Sequence, residues 1–437
     1  MSVKMKGTLF KFESRSAGRV TCVAAAALAL SLSAGCVTQG GRDAGAASTT
    51  VNHAAASNAR RVRVSGSGAE PSVAAAEDGS AYVAWVAHGA DKTADVWLAR
   101  FDREGRPVAE AARVNPSEGE ATAWRGDPPD VAVAPDGTVY VAWTARDRGA
   151  SHATTLYLSA SRDGGSSFGA PVKVNDDARP CEHGLHSLAL GADGRVYLAW
   201  LDERGLAPAA GGEKMEMHGE PNREVFFAAS SDGGRTFGKN LRVATEACPC
   251  CKTALTVSRD GRVYVGWRQV LPGDFRHIAV AASEDGGRTF REPTVVSDDR
   301  WELRACPVSG PALAAGEGGD LRVLWYTAGE AGHPGLYSAV SADGGRTFAP
   351  RRAVKEGTLR GAPLLLADGR GRPFAVFEGA GDANSNGLWR VGLGEAAGDA
   401  SPLAPGESAA ASARAGRLNV AYVAQGGVWL AQADGVD

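Results

Sequence analysis

Hydrophobic and polar positions alternate along this chain in short bursts, separated by turn residues. The clearest bursts are "EDGSAYVAW", "PDGTVYVAW", "ADGRVYLAW" and "RDGRVYVGW", beginning at residues 77, 135, 192 and 259. Looser copies, "GGDLRVLW", "GRGRPFAVF" and "AGRLNVAY", end at Trp325, Phe377 and Tyr422. Each has an apolar run, an Asp-Gly type turn and a β-rich run, the signature of an antiparallel hairpin. The seven copies recur every 45–67 residues. That period suits one four-stranded propeller blade per copy.

A second motif lies between the hairpins. "SRDGGSSF" begins at 161, "SSDGGRTF" at 230, "SEDGGRTF" at 283 and "SADGGRTF" at 341. The four copies resemble the Asp-box (BNR) repeat, Ser-x-Asp-x-Gly-x-Thr-Phe/Trp, of sialidase-like β-propellers. The resemblance covers the chain after residue 60 and implies an all-β propeller. It also implies that Asp163, Asp232, Asp285 and Asp343 are turn staples that bind backbone donors, not catalytic carboxylates. The glycines supply backbone angles that other residues avoid.

Counting strands gives the closure. Each unit offers strands a, b and c, then a fourth after the box, as in "LYLSAS"–box–"PVKVN". The seventh unit ends in "GVWLAQADGVD" with no room for a fourth strand, whereas "RRVRVS" at 60–65 is unassigned. An N-terminal strand that completes the last blade removes the loose edge. Seven four-stranded blades follow, with six, the usual sialidase number, as the alternative.

The first 59 residues follow a different pattern. Lys4, Lys6, Lys11, Arg15 and Arg19 precede the apolar run "VTCVAAAALALSLSAG", which stops at Cys36 and is too short to span a bilayer. "LSLSAGC" resembles a bacterial lipobox, which implies lipidation of Cys36, with simple cleavage near Ala34 as the alternative. Residues 1–36 then form a signal peptide. Residues 37–59 form a polar tether with a reach of roughly 25–29 Å, and residues 60–437 form the propeller. This places the protein in the bacterial cell envelope as a monomer, on a membrane only through its lipid. A net charge of −3 and the absence of basic blocks after the leader argue against nucleic acid as a partner.

Topology sorts the remaining chemistry. The a–b turns and boxes share one face of the disc. The b–c loops and blade-to-blade connectors share the other, around the channel mouth. Cys181 in "RPCEHGLHS", Cys248, Cys250 and Cys251 in "EACPCCKTAL", and Cys306 in "RACPVSGPA" all fall in connectors. Cys181, Cys248 and Cys306 each lie twelve residues before the following turn. The insertion after Trp200 adds Met215, Met217 and His218, and His183 and His186 flank Cys181. Disulfides are one reading of an exported cysteine cluster. The five cysteines after Cys36 cannot all pair. A copper or zinc site, or a redox-active thiol, is the other reading, since thiolate, thioether and imidazole favour soft metals.

A sialidase resemblance implies an arginine cluster, a Tyr–Glu nucleophile pair and an Asp acid/base. Arg125, Arg268, Arg276, Arg304 and Arg360 are available at the mouth, with Tyr326 and the carboxylates Glu182, Asp202 and Glu203. The family's Arg-Ile-Pro is missing, because that region reads Arg61-Val62-Arg63-Val64. The combination of "ACPCC", "ACPVSGPALAA" and "WRQ…FRHI" resembles a branch of bacterial exported Asp-box proteins labelled sialidase-like. The expected function is binding of a small molecule, glycan or metal at the channel mouth. Sialidase-type hydrolysis and a non-catalytic scaffold are the alternatives.

Overall fold

In the computed structural model the chain is described at residues 59–89, 93–122, 126–147, 149, 153–206, 220–303, 305, 307–329, 333–380, 386–394 and 399–434. The leader through Cys36, the tether up to residue 58, Arg125, Met215, Met217, His218, Arg304 and Cys306 lie outside those residues. The described residues hold 28 strands and no helix. Five sheets have four strands each, and one sheet of eight spans His183 to Val295. Its two halves meet through a single pairing, Ala247 with Gln269.

The first strands of successive units adjoin one another in order: Ala69–Ala75, Asp130–Val133, His183–Leu190, Ala254–Val257, Ala312–Ala315, Leu359–Ala367 and Glu407–Arg414. The last of these returns to the first, which closes a ring of radial sheets. The final sheet is completed by Arg60–Ser65, which pairs antiparallel with Gly427–Asp434.

The second strands are buried on both faces, which is why "VYVAW" and its relatives are almost continuously apolar. Trp143, Trp200, Trp267 and Trp325 are buried there. Their indole N–H groups donate to Ser159, Asp202, Gln269 and Asp299 at 2.6–3.0 Å, so each buried donor is satisfied. Tyr82, Tyr140, Tyr197, Tyr264 and Tyr422 are core residues of the same strands.

The four Ser-x-Asp-Gly-Gly turns share one geometry. In the third, Ser283 Oγ donates to Asp285 Oδ1 at 2.7 Å, the Gly287 N–H donates to Ser283 Oγ at 2.8 Å, and Thr289 Oγ1 donates to Asp285 Oδ2 at 2.6 Å. The second glycine of each box meets the tyrosine of the preceding unit: Gly165 with Tyr82, Gly234 with Tyr140, Gly287 with Tyr197 and Gly345 with Tyr264. The boxes therefore join neighbouring blades. Gly287 has φ +84°, and a Cβ there would lie 2.6 Å from the Phe227 ring. Gly287→Ala should cost more than about 1 kcal/mol in a denaturant titration.

The boxes also predict an acid dependence. Hydrogen bonds from Ser167 and Ser161 lower Asp163 to about 2, and Thr and Ser hydroxyls lower Asp232, Asp285 and Asp343 as well. Their folded values lie below the unfolded value of about 3.9. The stabilisation is therefore complete above about pH 4 and is lost as pH falls through the folded values. Asp285→Asn should be less stable than the parent at pH 7. The gap should narrow steadily as pH falls below about 4, as read from thermal midpoints across pH.

Candidate functional site

The "EACPCCKTAL" connector runs from the outer strand Leu241–Ala247 to the inner strand Ala254–Val257. Glu246 turns it with φ +57°. The Cys248 N–H donates to the Arg268 carbonyl at 2.8 Å, and the Cys251 N–H donates to that of Cys248 at 3.4 Å. Thr253 anchors the far end through its N–H and Oγ1, both donating to the Leu185 carbonyl. This tight path buries Cys248, Cys250 and Cys251 with their three sulfurs within 4.8 Å of one another. The Sγ atoms of Cys248 and Cys250 are 3.7 Å apart. A disulfide needs about 2.05 Å, and the four described cysteines are free thiols. Cys306 lies outside the described residues, and the four described cysteines are not paired with one another.

Two buried arginines lie near enough for their charges to act on Cys248. Arg268 is 0% exposed. It donates to the Ser309 carbonyl at 2.7 and 3.1 Å and to the Tyr326 carbonyl at 2.9 Å, and its guanidinium lies over Trp301. Arg276 is also buried and donates from Nε to the Leu303 carbonyl. Nη1 of each is buried with no hydrogen-bond partner among the described residues. Hydrogen bonds from Cys250 and Cys251, with the charges of Arg268 and Arg276, hold the Cys248 thiol well below its usual range. The bond to Cys248 pushes Cys250 up, and burial first of all pushes Cys251 up to about 12.

The connector from Pro307 to Pro311 closes over the same cluster. Val308 packs on the three cysteines with φ +47°, a costly angle for a β-branched residue. Gly310 admits no side chain, since a Cβ would sit 2.0 Å from the Lys252 carbonyl. The two cysteine-bearing connectors thus lie backbone against backbone, with a physical reason for the glycine.

Beside the cluster is a channel of about 430 Å³ with Cys250 in its wall, and every one of the seven inner strands contributes to the lining. Four of those strands carry a register shift: between Ala69 and Ser72, Gly184 and Ser187, Arg360 and Leu364, and Glu407 and Ala410. Glu70, Leu185, Gly361 and Ser408 take the left-handed angle at the bulges. Bulges re-aim side chains at the rims of closed sheets. Here Glu70 Oε2 accepts the Gly126 N–H at 3.0 Å, and Lys252 Nζ donates to Asp130 at 2.7 Å. The hairpin repeat gives no sign of Glu70, Asp130, Lys252 or Glu378 as channel residues. Bulged, two-sided inner strands lose the period-2 alternation that marks a face.

Cys181 belongs to a different group. It lies with Asp177 and His183 in a second buried set whose ligand atoms fall within 4.8 Å of one another. Equal height in successive units therefore does not become contact, because neighbouring blades are rotated about the axis and Cys181 is taken up by its own connector. Burial opposes a charge on His183, but the hydrogen bond to Asp177, with Cys181 and Asp202, pushes it up to about 10. His186 lies apart from both sets, 3.1 Å from Asp127, with Nε2 donating to the Ala142 carbonyl.

No family model matches the chain, and no curated protein does. Among solved structures it is similar to the polysaccharide lyase Uly1, at 12% identity over 85% of this chain and 90% of that chain with a TM-score of 0.50. The Hadza microbial sialidase Hz136 shares 12% over 78% and 73% with a TM-score of 0.48. A protein of unknown function from Dyadobacter fermentans shares 16% over 86% and 98% with a TM-score of 0.47. At these identities the likeness is one of fold. The fold is an all-β propeller, a closed ring of antiparallel sheets.

Several residues expected at a hydrolase site are committed elsewhere. Arg268 and Arg276 brace backbone carbonyls instead of facing a substrate, because their loops close over the cysteines. Asp202 is buried, accepting from Trp200 at 2.8 Å and from Arg204 at 2.8–3.1 Å. Glu182 and Glu203 both pair with Arg223. Tyr326 stands edge-on to Trp301 at 5.7 Å. Arg360 is exposed on the strand Leu359–Ala367.

Proposed function

We propose that this protein is an exported metal-binding module in which Cys248, Cys250 and Cys251 hold one copper(I) ion beside the propeller channel. The observation that carries the reading is three buried sulfurs within 4.8 Å of one another, close enough to two buried arginines for their charges to act on Cys248. Sulfur-only ligation suits a soft ion. Zinc sites of this type normally take four ligands. All three sulfurs lie within 4.8 Å of one another, a span that one ion can bridge. Three thiolates around a monovalent ion leave two negative charges, and Arg268 and Arg276 oppose them in a low-dielectric site. Cys250 connects the ion to the channel, where a small-molecule or glycan ligand has room to reach it. Cys36 carries the lipid and residues 37–59 the tether, which hold the disc at the envelope surface.

An anaerobic titration of copper(I) against a chromophoric chelator tests this on the full mature chain. One equivalent retained at the trithiol site supports the reading. Release of all copper(I) to a weak chelator overturns it, as does a zinc-only preference at that site. Palmitate labelling lost in Cys36→Ser tests the anchor, and unchanged labelling refutes it.

A further inference from the structure

The second buried set has a geometry of its own. His183 Nδ1 lies 2.6 Å from the Thr154 carbonyl, which only an Nδ1–H can approach so closely. That bond orients the ring and turns Nε2 inward. Nε2 then faces Asp177 Oδ1 at 3.1 Å, Cys181 Sγ at 3.6 Å and Asp202 Oδ2 at 3.5 Å. Cys181 Sγ is 3.5 Å from Asp177 Oδ2. The donor atoms of Asp177, Cys181 and His183 lie within 4.8 Å of one another, with Asp202 Oδ2 added on the Nε2 side, and His183 and Asp202 are essentially inaccessible to solvent.

We infer that Asp177, Cys181, His183 and Asp202 form a second metal site, separate from the trithiol cluster and suited to zinc. Zinc bonds run from about 2.0 Å to nitrogen and oxygen to about 2.3 Å to sulfur, so tetrahedral donors stand about 3.3–3.7 Å apart. Three of the four distances above lie in that window. The donor set of one thiolate, one imidazole and two carboxylates is harder than the trithiol set, so it favours zinc over copper(I). An Nδ1–H on a backbone carbonyl is the usual outer support of a zinc-bound histidine.

The surrounding charges agree. With the thiolate and both carboxylates ionised, the set carries three negative charges, and Arg204 stands against Asp202 at 2.8 Å and Asp177 at 3.6 Å. A divalent ion balances the remainder. The outer oxygen of Asp176 holds the other side of Arg204 at 2.6 Å. The site joins the connector before the third unit to the strand Val196–Asp202, so a bound ion would also clamp two blades.

The test uses cobalt(II) as a spectroscopic probe for zinc in the Cys248→Ser/Cys250→Ser/Cys251→Ser triple variant. One equivalent should bind with a sulfur-to-cobalt charge-transfer band that zinc displaces. Adding Cys181→Ser should remove the band, and adding His183→Gln should weaken binding by more than the 10–100-fold that loss of an outer partner costs. A folded triple variant without the band overturns the inference, as does a band indifferent to Cys181→Ser. If the triple variant does not fold, total zinc in the copper-loaded parent decides. Cys181→Ser should lower it by one equivalent, and an unchanged value refutes the site. Copper(I) binding by the trithiol cluster fails or succeeds independently of these readouts.

Discussion

Serine in place of Cys248, Cys250 and Cys251 together should abolish copper(I) retention while the disc stays folded. Serine is close in volume to cysteine but does not ionise at neutral pH, so it keeps the packing and removes the ligand charge. Each single replacement leaves two sulfurs and should weaken binding by more than the 10–100-fold that loss of an outer partner costs. Cys248→Ser should be the most damaging, since hydrogen bonds from Cys250 and Cys251, with the charges of Arg268 and Arg276, lower the Cys248 thiol. The same ion should stabilise the fold by mass action. Free copper(I) at a thousandfold excess over Kd adds about 4 kcal/mol. The parent should therefore melt higher with copper(I), and the triple variant should not respond. Equal copper-dependent shifts in both would place the ion elsewhere.

Arg268→Ala should be a stability mutant with an effect of about 3–5 kcal/mol, the cost of breaking a buried charged network. Arg268 is wholly buried, and the change strips donors from the Ser309 and Tyr326 carbonyls, which join the fourth unit to the fifth. Arg268→Met keeps most of the volume but leaves both carbonyls unpaired, so about 1–3 kcal/mol should remain. Arg360→Ala is the control: Arg360 is exposed, and its loss should stay within about 0.5 kcal/mol. Urea midpoints at one pH rank the three. If Arg268→Ala matched Arg360→Ala, Arg268 would be free for a ligand at the mouth and the bracing role would be wrong.

How much of this was readable beforehand follows from period and from distance along the chain. Hairpins and boxes are local, so "VYVAW" and "SxDGGRTF" announce strands and turns directly. "RRVRVS" stood out as the unassigned strand, and it pairs with the last strand. The faces of the disc were also readable, because connectors and turns alternate strictly. Azimuth was not. Cys181 and Cys248 share an offset from their turns, yet they answer to different neighbours, Asp177 and Asp202 in one case, Arg268 and Val308 in the other. Those partners come from other units or from residues with no repeat signature. Arg268 illustrates the limit: its place after Trp267 puts it at the mouth, but only packing shows that it points into carbonyls. Gly310 and Val308 could have been flagged from "CPVSG", though not the backbone that presses on them.

Copper-edge X-ray absorption on the protein loaded with one equivalent of copper(I) should show three sulfur neighbours at about 2.3 Å and their loss in the Cys248→Ser/Cys250→Ser/Cys251→Ser variant. A shell of nitrogen and oxygen, or a three-sulfur shell that survives in that variant, would contradict the trithiol site.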